Sequence, residues 1–387
     1  MAGETGTASP RFRDAISWVD TPLLTVCLGS FAVVLISGLV QVSFGTFTMS
    51  LSAAWGAVFD PVVWTNPQVL LRLFLGDGLG TEAARLLGLS TPEVDLPKET
   101  LIVWRIRMPR VLVAVLVGAN LAVSGAVFQA VTRNELASPY ILGVSSGAGL
   151  AILLTLIVFA ELAFMLPLIA AGGGAVAFAL VYAIAWKGGT TPVRLVLAGV
   201  IVSTVFGSLQ TALFFFADDL GVVQTAIAWT TGSLTGVDWE QVRMALPWTV
   251  VAVVLSLAGS RQLNLLLLGE QTAKSLGMSI EKVRFALSGV AVLAAAASIA
   301  VAGIVSFVGL IVPHMVRNLV GSDYKRVIVG CLFVGPALMV GADVGARLGM
   351  SVLTGADSQI PVGIVTGLVG GPYFLYLMRR QQNMGEL

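Results

Sequence analysis

Long runs of apolar residues separated by short polar segments dominate the chain from residue 21 onward. The runs cover residues 21–44, 111–131, 141–186, 195–217, 245–260, 286–316, 327–348 and 360–378. A helix needs about 20 apolar residues to cross about 30 Å of hydrocarbon. The shorter runs therefore predict one crossing each, and the longer runs predict two.

Basic residues between the runs indicate which ends of the helices face the cytoplasm, where Lys and Arg accumulate. The landmarks are Arg11 with Arg13, Arg133, Lys187 with Arg194, Arg261 through Arg284, Arg317 through Arg326, and Arg379 with Arg380. An even number of crossings must separate neighbouring landmarks. This parity predicts ten helices, with the N- and C-termini both cytoplasmic.

The same parity places the turns between helices. About thirty apolar residues separate Arg284 from Arg317, too many for one upright helix at 1.5 Å per residue, so a turn is predicted at 303–306. Outer turns are predicted between Glu161 and the glycines 172–174, and near 347–357. The acidic stretch from Asp218 to Glu240 is expected to be an outer loop.

Composition agrees with a membrane protein and excludes other classes. Hydrophobic residues make up 57% of the 387 and charged residues 11%, with a mean hydropathy of +0.92, whereas soluble domains carry about 25% charge. That apolar content also excludes a disordered chain. A net charge of +1 provides no basic field for nucleic acid.

We therefore expect an all-α membrane protein in the cell membrane, in contact with lipid, with residues 1–387 forming one transmembrane domain. Residues 1–20 are expected to be a cytoplasmic N-terminal segment. Residues 46–100 are expected to be an extended external loop that does not cross the membrane, and residues 265–284 a cytoplasmic segment between the sixth and seventh spans.

That cytoplasmic segment has the pattern of two short helices. Residues 270–276 favour helix, and Gly277 follows as a plausible C-cap. Ser279 can cap a second short helix that has Glu281 in its first turn. The segment is either a structured loop or a docking surface for a cytoplasmic motor, and the pattern alone leaves both open.

Several charged residues lie on the outer side, against the positive-inside bias. Arg107 and Arg110 are three residues apart and so share a helix face, and Arg347 lies at the outer end of the ninth helix. Snorkelling to the interface would explain all three. An acid within a span is costly unless it is paired, so Asp343 is predicted to hold Arg347, one turn away, and not to carry protons.

His314 is the one histidine of the sequence. A metal site needs several ligands, so this residue is expected to be a structural hydrogen-bonding group, and no metal site is predicted.

A series of motifs in fixed order resembles the iron-chelate and cobalamin (FecCD-type) permease family of type II ABC importers. One specific motif is Gly269-Glu270-x-Thr-Ala-x-x-Leu-Gly277. The others include, in chain order, Arg105-Ile-Arg-Met-Pro-Arg110, Asn134-x-Leu-Ala-x-Pro139, Leu142-Gly-Val-Ser-x-Gly-Ala148, Gly236-Val-Asp-Trp239, Phe307-x-Gly-Leu-Ile-Val-Pro-His314 and Pro361-Val-Gly-Ile-Val365. They extend over roughly residues 100–380. The family has ten helices per subunit and forms homodimers.

The resemblance implies roles for the matching residues. Residues seated on the partner ATPase would be Glu270, Thr272, Ala273, Leu276 and Gly277. Docking of an extracytoplasmic substrate-binding protein would fall to Arg107, Arg110 and Arg347. The inner gate would comprise Thr191, Pro192, Val193 and Leu197, although Pro192 and Val193 depart from the small hydroxyl residues of cobalamin permeases. An apolar ring can still close a pore by dewetting.

The sequence contains no Gly-x-x-x-x-Gly-Lys-Ser/Thr phosphate loop, so no cofactor is expected in this chain. ATP and Mg would be bound by two separate ATPase subunits, and the chain itself would not be an enzyme. The expected partners are those two subunits, a second copy of this chain and one binding protein. Cobalamin is the first expected cargo, followed by ferric siderophore or haem.

Two other functions remain as alternatives. A secondary transporter driven by an ion gradient would need intramembrane carboxylates as relays, and Asp343 alone qualifies in the predicted spans. An intramembrane enzyme would need a catalytic constellation at depth, which one histidine and few acids do not supply.

Overall fold

The regular structure of the chain is helical throughout the part that the structure describes. The structure is a computed structural model and describes residues 18–43, 49–89, 96–217, 219–354 and 359–385. Its helices are α1 (Thr21–Ser43), α2 (Leu51–Val58), α3 (Pro61–Thr65), α4 (Pro67–Leu75), α5 (Asp77–Leu86), α6 (Lys98–Thr132), α7 (Val144–Val158), α8 (Ala160–Ala185), α9 (Pro192–Phe214), α10 (Leu220–Thr231), α11 (Trp239–Ala258), α12 (Ser260–Leu267), α13 (Glu270–Ser275), α14 (Ile280–Ala302), α15 (Val308–Val320), α16 (Tyr324–Thr354) and α17 (Val362–Gly385). Most of the predicted N-terminal segment 1–20 lies outside the described residues.

Seven of the described helices are long and apolar enough to cross a membrane. They are α1, α6, α8, α9, α11, α14 and α16. Three shorter apolar helices accompany them, namely α7, α15 and the stretch Val362–Tyr376 of α17. The seven long helices agree with a multi-pass membrane protein, whereas the total of ten crossings stays a prediction.

Helix α6 lies at the centre of the bundle. Its most apolar window is 78% buried, against 11% for α1, and it packs against α11, α14, α15 and α16. Its polar side chains bond to neighbouring helices: Asn120 donates to Thr249 Oγ1 at 2.7 Å, and Ser124 donates to the Ala291 carbonyl at 2.6 Å. Such bonds satisfy polar groups that lipid cannot hydrogen-bond.

Glycines allow the central helices to touch backbone to backbone. A Cβ atom on Gly118 would overlap the backbone of Gly335 on α16, and one on Gly125 would overlap Gly309 on α15. Small residues at crossings permit this approach where lipid provides no hydrophobic drive between helices. The close packing of the central helices therefore requires glycine at these crossings.

The turn predicted at 303–306 is confirmed, because α14 ends at Ala302 and α15 begins at Val308. The turn predicted between Glu161 and the glycines 172–174 was wrong in its position. Residues 172–174 lie inside α8, where Gly173 packs against Gly147 of α7, and the break between these helices falls at Phe159. Helix α16 runs through Arg347 to Thr354, so the described part of the turn predicted near 347–357 is helical, and residues 355–357 lie outside the described residues.

The acidic stretch predicted as an outer loop also contains a helix. Helix α10 fills residues 220–231 and starts at Asp219, whose carboxylate accepts the Gly221 N–H at 2.8 Å. Aspartate is a preferred N-cap because it satisfies one of the free N–H groups of the first turn.

The segment predicted as an external loop forms short helices, α2 to α5, over its described residues. Each is shorter than a membrane crossing. Ser50 and Asp60 cap α2 and α3 with their side chains, and Asp60 also accepts a 2.6 Å hydrogen bond from Thr100 at the start of α6. The segment is therefore held against the bundle by buried polar contacts.

Candidate functional site

The predicted coupling segment contains one short helix, α13, with a well-defined end. The Gly277 N–H donates to the Lys274 carbonyl at 2.9 Å, and the Met278 N–H donates to the Ala273 carbonyl at 3.0 Å. This pair of bonds is a Schellman motif, which needs a left-handed residue at the position after the C-cap. Gly277 has φ +81°, as the prediction of a glycine helix end requires.

The faces of α13 differ in exposure. Ala273 is fully buried, whereas Leu276 is 61% exposed and Thr272 is also exposed. The Glu270 side chain is 33% exposed and bonds inward to Arg284. Ala273 thus anchors the helix, while Thr272 and Leu276 project away from the bundle.

The second short helix predicted after Ser279 was wrong. Ser279 precedes the 23-residue helix α14, and its side chain makes no capping hydrogen bond. The other short helix is α12, on the opposite side of α13 in sequence. Apolar residues beyond Arg284 continue the helical pattern without a break, so the helix that starts at 280 extends into the bundle.

Arg284 links α13 to two other parts of the chain. Its Nη2 donates to Glu270 Oε1 at 2.6 Å, and its Nη1 donates to Glu281 Oε1 at 2.9 Å and to the Thr190 carbonyl at 2.6 Å. The Thr190 hydroxyl donates to Glu281 Oε2 at 2.9 Å, and the Tyr182 hydroxyl lies 3.4 Å from the same oxygen. We call these five residues the inner charge cluster.

The predicted gate residues begin directly after this cluster. Thr191 is the N-cap of α9, where its Oγ1 accepts the Arg194 N–H at 3.4 Å, and Pro192 occupies the first turn. Val193 and Leu197 are 76% and 58% exposed and share a face because they are four residues apart.

One open groove brings the gate and coupling predictions together. Pro192, Val193 and Leu197 line it with residues 132–134 at the end of α6 and with Glu270. The sequence placed the gate and the coupling segment about 75 residues apart in the chain, with nothing local to join them. The fold makes them neighbours.

The outer arginines form a buried cluster around the end of α1. Arg107 donates to the Val42 carbonyl and Arg347 to the Gln41 carbonyl, the latter at 3.4 Å. The last carbonyls of a helix have no partner within it, and basic side chains satisfy them well. Arg107 and Arg110 are only 5% and 9% exposed.

The ion pair of Asp343 differs from the prediction. Both carboxylate oxygens bind Arg110 of α6, each at 2.8 Å, and Gln41 donates to the same carboxylate. The sequence predicted Arg347, one turn along α16. Arg110 comes from a neighbouring helix, and its planar guanidinium group matches the carboxylate in two-pronged geometry.

A charged pocket of about 280 Å³ lies between the external segment and the bundle. Trp239 forms part of its lining; it donates to the Trp104 carbonyl at 2.6 Å and meets Phe74 edge to face. Arg243 donates to the Leu73 carbonyl at 2.9 Å. The pocket lining also includes Arg72, Arg105, Asp77, Asp238 and Glu240.

His314 lies beside a carboxylate group. Its Nδ1 lies 3.3 Å from Glu135, in the segment between α6 and α7. Within the described ranges, no group of three or more His, Cys, Asp or Glu side chains is placed to hold a metal ion.

The sequence profile of the FecCD transport family matches residues 33–380 of this chain. The chain belongs to the FecCD transport family. The family likeness covers all the helices from α6 to α16, so both the inner charge cluster and the outer arginine cluster lie within it.

Relatives of this FecCD chain are import permeases. It is 40% identical over 290 residues to an iron(3+)-citrate import system permease of Bacillus subtilis, covering 75% of this chain and 85% of that protein. It is 39% identical over 282 residues to a cobalamin import system permease of Halobacterium salinarum, covering 73% and 74%. These likenesses support a transport subunit of an ABC importer.

A solved structure has the same fold. It is a metal-chelate type ABC transporter in an inward-facing conformation, with a TM-score of 0.74 and 26% identity, and it is matched over 92% of this chain and 99% of its own. Together with the apolar helices, this places the FecCD chain in the cell membrane as a multi-pass protein.

Sequence reasoning missed several residues of these clusters. Arg284 was used only as a basic landmark, although Glu281 three residues earlier signals an ion pair on one helix face. Thr190, Tyr182 and Gln41 carry no local signal, because their partners lie far away in sequence.

Proposed function

We propose that this FecCD chain is the membrane subunit of an ATP-driven importer of metal chelates, with ten crossings and both ends in the cytoplasm. The observation that carries the proposal is the family match over residues 33–380, joined to fold likeness with a metal-chelate ABC transporter over nearly the whole chain.

Helix α13 is proposed to be the contact with the motor. Thr272 and Leu276 are exposed on it, while Ala273 anchors it and Glu270 ties it to Arg284. A leucine 61% exposed on a short polar helix suits burial in a partner groove, because aqueous exposure of apolar area is unfavourable. Two ATPase subunits would bind ATP and Mg and supply the work.

A second copy of the chain is proposed to complete the path. The most apolar window of α9 is only 22% buried, and Val193 and Leu197 lie on its exposed side. Two such faces opposed across a dimer axis would give an apolar inner gate, with Thr191 and Pro192 fixing the start of each helix.

The outer arginines are proposed to guide an extracytoplasmic binding protein. Arg347 is the most accessible of the three, whereas Arg107 and Arg110 are buried beneath the outer surface. We therefore assign direct contact with partner carboxylates to Arg347, and a supporting positive field to Arg107 and Arg110.

The cargo is proposed to be a metal chelate delivered by that binding protein. Cobalamin, ferric siderophore and haem remain the candidates, with ferric citrate added by the Bacillus relative. Identities of 40% and 39% to a citrate and a cobalamin permease do not rank them. A binding assay of the partner binding protein against these four ligands identifies the cargo class.

An ion-driven secondary transporter is not favoured. Such a protein relays ions through intramembrane carboxylates. In the described part of the chain the buried carboxylates are Asp60 and Asp343; the first caps a helix and the second is bound by Arg110.

The test is uptake by proteoliposomes that contain the permease with its ATPase and binding protein. Uptake of a metal chelate is expected to require internal ATP and all three components, and to continue when ion gradients are collapsed. Uptake by the permease alone on an ion gradient would overturn the proposal.

A further inference from the structure

Arg284 is the largest of the fully buried side chains in the described part of the protein. A buried guanidinium group is costly unless carboxylates and hydrogen-bond acceptors surround it. Here two carboxylates and one backbone carbonyl do so, and each belongs to a different segment: α13, the first turn of α14, and the 186–191 loop.

Thr190 bonds to the cluster through both its carbonyl and its hydroxyl group. The Thr190 carbonyl accepts from Arg284 Nη1 at 2.6 Å, and the Thr190 hydroxyl donates to Glu281 Oε2 at 2.9 Å. Charge-assisted hydrogen bonds are short and directional, so these bonds tie the position of Thr190 to that of the guanidinium group.

The residue after Thr190 starts the gate helix. Thr191 caps α9, and Pro192 fixes the backbone of its first turn. The position of Thr190 therefore sets where α9 begins. Val193 and Leu197 lie on the first two turns of α9.

The other side of Arg284 faces the coupling helix. Its Nη2 donates to Glu270 Oε1 at 2.6 Å, and Glu270 is the first residue of α13. Hydrogen bonds from the two terminal nitrogens of one rigid, planar group thus connect the helix that would meet the ATPase to the loop that precedes the gate helix.

We propose that Arg284 is the positioning residue that transmits displacement of α13, through the Thr190 backbone, to the start of α9. This inference rests on the proposed importer function. Without the guanidinium bridge, α13 and the gate helix move independently, and ATP is hydrolysed without transport.

The experiment compares variants of the complete permease, ATPase and binding-protein complex in proteoliposomes. The readout is cargo imported per ATP hydrolysed. Arg284→Lys keeps the charge but replaces the planar fork with a single ammonium group. It is expected to copurify with the ATPase and hydrolyse ATP, while cargo per ATP falls about tenfold.

A matched control separates transmission from general packing. Arg317→Lys alters another largely buried arginine, 10% exposed, which faces Glu135 and connects neither α13 nor the 186–191 loop. It is expected to change thermal stability without changing cargo per ATP.

A second variant keeps the test decisive if Arg284→Lys does not fold. Thr190→Val removes the hydroxyl and keeps the carbonyl, so it loosens the loop while leaving the Glu270 bond intact. It is expected to lower cargo per ATP to an intermediate value.

A double variant tests whether Glu270 and Arg284 act together. Glu270→Gln combined with Arg284→Lys is expected to give the same cargo per ATP as Arg284→Lys alone, because both changes break the same connection between α13 and Thr190.

The outcomes separate the inference from the function on which it rests. If Arg284→Lys and Thr190→Val lower import and hydrolysis by equal factors, or if Arg317→Lys lowers the ratio as much, Arg284 is only a structural brace and the inference fails. If the unaltered complex imports no chelate with ATP, the proposed function itself fails.

Discussion

Asp343 and Arg110 lock two central helices together through a two-pronged ion pair. Arg110 Nη2 donates to Asp343 Oδ1 and Arg110 Nε donates to Oδ2, each at 2.8 Å, and the two side chains are 10% and 1% exposed. The pair joins α6 to α16 directly below the end of α1. This end of the bundle therefore depends on a buried charge pair and not on apolar packing alone.

Removing one partner of this pair is expected to destabilise the protein strongly. Asp343→Asn leaves Arg110 with an uncompensated buried charge, which costs about 3–5 kcal/mol. The midpoint of thermal unfolding in detergent measures the effect. Glu240→Gln, at an exposed carboxylate, is the control and is expected to leave the midpoint unchanged; equal shifts in both variants would contradict a buried ion pair.

A methyl group at the closest helix crossing is expected to disrupt the core. Gly125→Ala places a Cβ atom on the backbone of Gly309, and overpacking of this kind costs about 1–3 kcal/mol. Gly289→Ala is the matched control, because nothing lies within 4 Å of a Cβ at that position. The unfolding midpoint is expected to fall for the first variant only.

The exposed leucine at the C-cap of α13, Leu276, is expected to carry much of the ATPase contact. Leu276→Asp removes an apolar anchor and is expected to weaken association by about 2 kcal/mol, roughly thirtyfold. Copurification of the ATPase over a dilution series measures it. Leu86→Asp changes a leucine that is 86% exposed in the external segment; loss of the ATPase from that variant as well would remove the assignment.

Arg347 is expected to matter to the binding protein more than to the fold. Arg347→Gln loses the charge but keeps an amide donor for the Gln41 carbonyl. Partly exposed ion pairs contribute about 0.2–1 kcal/mol, so capture of the binding protein is expected to weaken by a factor of about 1.4 to 5 and to become less sensitive to salt. Arg85→Gln, at an exposed position of α5, is the control and is expected to leave capture unchanged. If both variants weaken capture equally, or if neither weakens it, interfacial snorkelling is the better explanation of Arg347.

Part of the fold could be predicted from the residue types within short stretches of the sequence. The apolar runs predicted the long helices, since hydrocarbon length sets how many apolar residues a crossing needs. The glycine at 277 predicted the end of α13, because the left-handed conformation there suits a residue without Cβ. The break between α14 and α15 followed from the length of the apolar run and the basic residues on both sides of it.

Other features depend on which helices become neighbours. The glycines at 172–174 have the pattern of a turn, yet they lie within α8, where Gly173 lets that helix touch α7. Glycine signals both a turn and a close crossing, and only the position of the facing helix distinguishes the two.

The sequence by itself determined that this chain is a helical membrane protein with a polar segment at 265–284, because hydropathy and helix ends are properties of adjacent residues. The tertiary structure decided the pairings. Asp343 binds a residue 233 positions away instead of its neighbour one turn along, and Arg284 reaches Thr190 across 94 positions. A buried charge takes the partner that offers the best geometry, and packing alone brings that partner within reach.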